Sequence, residues 1–220
     1  VKLELLWADN GYSVPRTISI YQRFKDQGIV AFYNQTSAGL FAIKPLAERD
    51  SIPILTESAD PPTMYPSEGI FAGSPIAPPE TLMGFMNWLK ATWKKPSPPK
   101  VAIIAWDNAF GRGPLMAKKY WEQLGIDVIS QEIVPVIAMD HSATLQKISA
   151  LNPDYVYLSM AYGGAITVLK DSLRLGIKPK IQFVLTFNAG SESILENLGK
   201  DAEDIIFVQP WPFMDEKNVP

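Results

Sequence analysis

What most constrains this chain is a rhythm that runs through it from end to end: a short apolar run, a polar turn, then a segment with helical spacing. The apolar runs Lys2–Trp7, Ile29–Tyr33 and Ile52–Leu55 read as strands, and Ile70–Ala72 as a short extended piece. Further on, Val101–Trp106, Asp127–Val134, Tyr155–Met160, Ile181–Leu185 and Ile205–Val208 read the same way. Between them lie helical stretches. The first starts near Pro15, carries Ile18, Tyr21 and Phe24 on one face and ends by Gly28. The others are Ala38–Arg49, which Pro45 is expected to kink or interrupt, Thr81–Trp93, Phe110–Leu124, Ser142–Ala150, Gly163–Leu175 and Glu192–Leu198. Strands alternating with helices of this length predict an α/β fold of parallel sheets covered by helices on both faces. Ser58–Glu68 reads as a proline-rich loop. Ser74–Pro79 reads as a linker between two such units, and Lys94–Lys100 (KKPSPPK) can be neither helix nor central strand.

Bulk properties narrow the function. A chain of 220 residues buries roughly 70% of its unfolded surface and needs no disulfide or metal to hold a core. A net charge of -3 gives no broad attraction to nucleic acid or anionic membranes, so nucleic-acid binding is disfavoured. The absence of cysteine removes disulfides, zinc-thiolate sites and cysteine nucleophiles. No apolar run approaches the ~20 residues of a membrane span. No secretory leader is present, and an export signal could have been removed upstream of Val1.

Open parallel sheets bind ligands at the carboxyl ends of their strands, so the turns after the strands are the places to look. Asp107–Met116 holds Gly111-x-Gly113 between a strand and a helix, but Met116 stands at the third glycine position and Pro114 lacks an N–H. A helix-entry turn is the better reading there. His141, the only histidine, lies between Asp140 and Ser142; adjacent residues cannot converge into a triad, and Ser142 or Asp140 reads as an N-cap. A histidine metal site has no second histidine. No P-loop, HExxH or serine-nucleophile elbow is present, which argues against an enzyme; no catalytic residue, metal or cofactor is expected. Asn34–Ser37 opens a helix with small hydrogen-bonding residues. Thr36 or Ser37 there is either an ordinary cap or, with the free helix N–H groups, a carboxylate seat. Asp60 stands in the proline-rich loop, where a turn is its ordinary use. Phe110 and Tyr162 follow strands of the second half and either cover a ligand or join the core.

The segments LELLWADNGYSVPRTISIYQRF, IVAFYNQTSAGLFAIKPLAERDSIPILTESADPP and GIFAGSPIAPPETLMGFMNWL follow one another in the order met in a known family. So do KVAIIAWDNAFGRGPLMAKKYWEQLGIDVISQEIVPVIAMDHSATLQKISALNPDYVYLS and AYGGAITVLKDSLRLGI. Together they resemble the type I periplasmic substrate-binding proteins of ABC importers, the leucine/isoleucine/valine-binding receptors. The resemblance implies two doubly wound parallel-sheet lobes joined by a hinge, with residues 1–73 and 209–220 in an incomplete lobe 1 and 74–208 in lobe 2. The family starts one strand and helix earlier and continues further, so the chain reads as truncated at both ends. It also implies ligand-binding residues: Ser37, Ser58 and Asp60 in lobe 1, and Phe110, Tyr162 and Asn188 in lobe 2. In amino-acid binders of this family lobe 1 holds the carboxylate and a lobe-2 acid holds the ammonium. Here Asp60 replaces a usual hydroxyl residue and Asn188 stands where the acid is expected. Either Asp60 grips the ammonium, or the ligand is not a standard amino acid.

The implied function is binding without chemistry. A small ligand, an aliphatic amino acid first, stabilises a closed state of the hinge, and the closed form docks on an ABC permease. The expected protein is a monomer, periplasmic or anchored on the outer side of a membrane. Amides, urea-like compounds and aromatic acids are alternative ligands. A ligand-sensing domain of a regulator or receptor, and an α/β enzyme, are the competing classes.

Overall fold

In the computed structural model, which describes residues 2–57, 61–73 and 77–210, the chain parts into two units between Ala77 and Pro78. In the first unit, Ser13 accepts a hydrogen bond from the Arg16 N–H and caps α1 (Val14–Asp26), with proline in the first turn. The rest of the unit is β1 (Phe32–Asn34), α2 (Ser37–Asp50), β2 (Ile54–Thr56), α3 (Pro61–Met64) and β3 (Ile70–Ala72). The strands form a parallel sheet in the order β1-β2-β3. Phe32, Ile54 and Ile70 are in register and face Ile20, Tyr21 and Phe24 of α1 and Leu40, Ile43 and Ala47 of α2. Strand side chains alternate, so the middle residues Tyr33, Leu55 and Phe71 form a row on the opposite face. They remain 54%, 47% and 59% exposed. The expectation of helices on both faces is therefore not met by this sheet among the described residues.

Two further expectations need correction. Lys2–Trp7 is not a strand: it has no regular structure, and Leu3, Leu5 and Trp7 are 84%, 85% and 79% exposed. A strand persists only as a ladder partner of another strand, and none of the described residues pairs with this one. The helix Ser37–Asp50 runs through Pro45 unbroken. Leu40, Ile43 and Ala47, on both sides of the proline, are buried on one stripe, and that packing outweighs the lost backbone bond.

The second unit opens with α4 (Pro78–Thr92), whose two prolines occupy the first turn where their missing N–H groups cost nothing. It continues with β4 (Lys100–Trp106), α5 (Ala109–Arg112), a 3₁₀ turn over Gly113–Ala117, α6 (Lys118–Leu124) and β5 (Asp127–Val134). Next come α7 (Ser142–Ala150), β6 (Tyr155–Ser159), α8 (Tyr162–Arg174), β7 (Gln182–Leu185), α9 (Glu192–Leu198), a 3₁₀ turn over Gly199–Ala202 and β8 (Ile206–Phe207). All five strands are parallel, in the order β5-β4-β6-β7-β8. Both faces are covered. Ile104, Val156, Leu158 and Phe183 pack against Leu145, Val168 and Leu169, while Val101, Ile103, Tyr157 and Val184 pack against Leu82, Phe85, Leu89 and Trp121. The single helix expected over Phe110–Leu124 is broken into three pieces at Gly113 and Pro114. Proline cannot donate the bond that would continue α5, and Gly113 lies where a Cβ would come within 3.0 Å of Pro78.

His141 takes the N-cap position of α7, and the Asp140 carboxylate accepts from the Ser142 N–H at 2.7 Å. The histidine is 2% exposed and its Nε2 has no hydrogen-bond partner among the described residues. Its backbone N–H donates to Asp171, which also receives Arg174 at 2.9 Å; Arg174 reaches Asp140 as well. Burial lowers the pKa of the ring, against the opposing pull of Asp171 and Asp140. A histidine whose folded pKa lies below its unfolded value, about 6.5, gives up stability as pH falls through that window. The thermal midpoint is therefore expected to drop between about pH 7.5 and 5.5, and to drop less in His141→Phe. Thermal unfolding across that range checks it; equal slopes would rule the histidine out as the cause.

Candidate functional site

The carboxyl ends of β4, β6 and β7, three adjacent strands in the middle of the second sheet, bring three turns together. After β4, the Asn108 side chain accepts from the Gly111 N–H at 2.7 Å and caps the short helix α5. That turn is tight because Gly111 lies directly on the Trp106 backbone: a Cβ there would meet the carbonyl oxygen at 2.3 Å. The turn presents Phe110, which is half-buried and meets Phe187 edge-on, with ring centroids 6.1 Å apart at 82°. The Asp107 carboxylate in the same turn is held by Arg112 at 2.7 Å, and both side chains are exposed.

After β6, α8 begins at Tyr162, whose N–H donates to the Asn188 carbonyl at 3.0 Å and so ties this turn to the one after β7. The Tyr162 side chain is 54% exposed. Two residues on, Gly164 makes room for the Trp106 indole, which a Cβ would meet at 2.6 Å. After β7 the N–H groups of Ala189 and Gly190 both donate to the Thr186 carbonyl, which curls the loop and leaves Asn188 exposed and Phe187 buried. The sequence-derived residues Phe110, Tyr162 and Asn188 thus occupy neighbouring turns. Trp106 and Phe187 join them and were missed. Phe187 lies two residues past the end of β7, and Trp106, as the last residue of β4, reads as core on apolar character alone.

In the first unit Ser37 is the first residue of α2 and is 7% exposed. Thr36 holds the N-cap position but makes no side-chain cap. Its hydroxyl instead accepts from Asn10 Nδ2 at 3.3 Å and donates to Asn34 Oδ1 at 3.4 Å, while Asn34 Nδ2 donates to the Thr36 carbonyl at 2.7 Å. Gly39 packs against this network, for a Cβ there would lie 2.5 Å from the Thr36 hydroxyl. Thr36 therefore gives the start of α2 no side-chain cap. Such an end attracts a carboxylate through its N–H groups and the positive end of the helix dipole. Ser58 and Asp60 lie outside the described residues. A separate groove on the bare face of the first sheet is lined by Tyr33, Leu55 and Phe71, with Thr56 and Glu57 at one end. Desolvation and then a hydrogen bond to Glu57 push the Tyr33 hydroxyl up to about 12. Among the described residues no group of three acidic, histidine or cysteine side chains could hold a metal, and no helix is long and apolar enough to cross a membrane.

The family model described as periplasmic binding protein matches residues 1–218. No curated protein sequence matches the chain. Solved structures with the same fold include a branched-chain amino acid ABC transporter protein from Thermus thermophilus with bound valine. It is 22% identical, with a TM-score of 0.80, covering 90% of this chain and 52% of that one. A fatty acid ABC transporter substrate-binding protein from Thermomonospora curvata is 20% identical, with a TM-score of 0.80, covering 93% of this chain and 52% of that one. A solute-binding protein of an ABC transporter from Rhodopseudomonas palustris BisB5, in complex with 3,4-dihydroxybenzoic acid, is 18% identical, with a TM-score of 0.79, covering 91% and 55%. The chain therefore spans about half the length of each of these proteins.

Proposed function

The chain belongs to the periplasmic binding protein family, and from that premise we propose that it is the ligand-binding part of the extracytoplasmic solute-binding component of an ABC importer. Its ligand is a small organic molecule with a carboxylate or similar polar head and an apolar body. In the first unit the start of α2 at Ser37 has no side-chain cap from Thr36, and the observation that carries the reading lies in the second unit, the aromatic turns at Phe110 and Tyr162. The first suits an anionic head and the second an apolar body. Residues 1–73 with 209–220, and 74–208, form the two lobes of this reading, and Ser58, Asp60 and Asn188 complete its ligand contacts. The ligand stabilises a closed arrangement in proportion to its preference for it, and the closed form delivers it to a membrane permease. Two of the similar structures hold valine and 3,4-dihydroxybenzoic acid, and another is a fatty acid ABC transporter's substrate-binding protein. That spread supports the common role rather than one ligand. Branched-chain or other hydrophobic amino acids head the candidates, with amides, urea-like compounds and aromatic acids beside them.

A thermal-shift panel of amino acids, amides, aromatic carboxylates and nucleotides tests the proposal. A ligand at about 100 times its Kd adds roughly 2.7 kcal/mol of stability. One small-molecule class is expected to raise the midpoint, and Ser37→Ala or Tyr162→Ala to reduce that rise. A response to nucleotides alone would instead favour the nucleotide-dependent enzyme reading.

A further inference from the structure

We propose that the second unit holds an internal water site, built by the side-chain hydroxyls of Tyr157, Ser159 and Thr186. Tyr157 and Ser159 lie two residues apart on β6, so they share one face of the sheet. Thr186 follows β7, and its N–H donates to the Leu158 carbonyl at 3.3 Å, which carries the ladder one step past the Leu158–Leu185 pair. That step sets Thr186 beside Ser159 on the neighbouring strand, on the face that Val184 shares with Tyr157. All three residues are fully buried, and none of the three hydroxyls has a hydrogen-bond partner among the described residues. Helix α4 packs on this face with Leu82, Phe85, Met86 and Leu89, none of which offers a strong hydrogen-bonding group. Burial pushes the Tyr157 hydroxyl up, and the Thr186 hydroxyl opposes it, which places the two groups near each other. Buried polar groups are nearly always bonded, and where the protein supplies no partner an ordered water does. Such a water needs about two to four polar partners, and three hydroxyls that each donate or accept provide them. The water joins the ends of β6 and β7 next to the turns that carry Tyr162 and Asn188, where the Thr186 carbonyl also holds the loop through the Ala189 and Gly190 N–H groups.

Oxygen-17 relaxation dispersion counts the waters held inside a protein for longer than its tumbling time, and it tests the site on the full chain with thermal unfolding alongside. Thr186→Val nearly keeps the shape of the side chain and removes its hydroxyl; Ser159→Ala removes a second hydroxyl independently. Each variant is expected to hold fewer long-lived waters than the parent and to unfold about 2–4 °C lower, the shift that loss of one buried hydrogen bond brings in a domain of this size. A higher or unchanged midpoint would overturn the site, because a methyl in place of a hydroxyl that bonds nothing relieves a desolvation penalty. A lower midpoint with an unchanged water count would overturn it as well, and would mean that the hydroxyls bond one another directly. A parent that holds no long-lived water would overturn it without either variant, and if one variant fails to fold the other decides.

Discussion

Gly111→Ala is expected to destabilise the second unit by about 3 kcal/mol or more, toward the upper end of what overpacking costs. The new methyl would stand 2.3 Å from the Trp106 carbonyl oxygen, 2.6 Å from its nitrogen and 2.8 Å from its carbonyl carbon. A side chain in that position could rotate away. A backbone at the end of a central strand cannot move without pulling β4 from its pairing with β5 and β6. The same shift would displace Asn108, whose side chain caps α5 through the Gly111 N–H, and with it Phe110. Denaturant unfolding of the variant therefore shows a lower midpoint together with weakened ligand binding. An unfolding free energy within about 0.5 kcal/mol of the parent's, the range of an ordinary surface change, would mean that the turn after β4 is not packed as described.

Phe183→Ala is expected to cost about 3–5 kcal/mol, the range for removing a large buried ring. Phe183 is 1% exposed on β7 and shares its core with Val156, Leu158, Leu169 and Ile194. A sheet covered on both faces cannot collapse to fill the cavity without losing contact with a helix. Ligand affinity should change far less than stability, because the ring lies on the covered face and Phe187, not Phe183, meets Phe110. Unfolding and calorimetry on one sample separate the two effects. A loss of affinity as large as that of Tyr162→Ala would contradict the division between core and site.

The fold was legible where the sequence pattern is set by local forces. Apolar runs such as Val101–Trp106 and Tyr155–Met160 match β4 and β6 to within a residue, since a strand buried on both faces has little choice but to be apolar throughout. Ser142–Ala150 matches α7 residue for residue. Misreadings arose where the outcome depends on distant partners. Lys2–Trp7 has strand composition but no neighbouring strand among the described residues. Pro45 has a helix-breaking backbone but lies within a stripe that buries Leu40, Ile43 and Ala47. The candidate site was half legible. Phe110, Tyr162 and Asn188 sit at strand ends, where position alone draws notice. Trp106 and Phe187 gain meaning only through Gly164 and Phe110, contacts that span long stretches of sequence. Thr36 looked like an ordinary cap, and only the bond it accepts from Asn10 and the one it donates to Asn34 show its hydroxyl engaged elsewhere.

The central claim is that this chain binds a small molecule and leaves it chemically unchanged. Native mass spectrometry after incubation with the best ligand of the thermal-shift panel, followed by extraction and mass analysis of what was bound, addresses both halves at once. The account predicts one ligand per chain, recovered intact after prolonged incubation, and loss of the bound species in Tyr162→Ala. Recovery of a converted product, or no bound species at ligand concentrations that shift the unfolding midpoint, would contradict it.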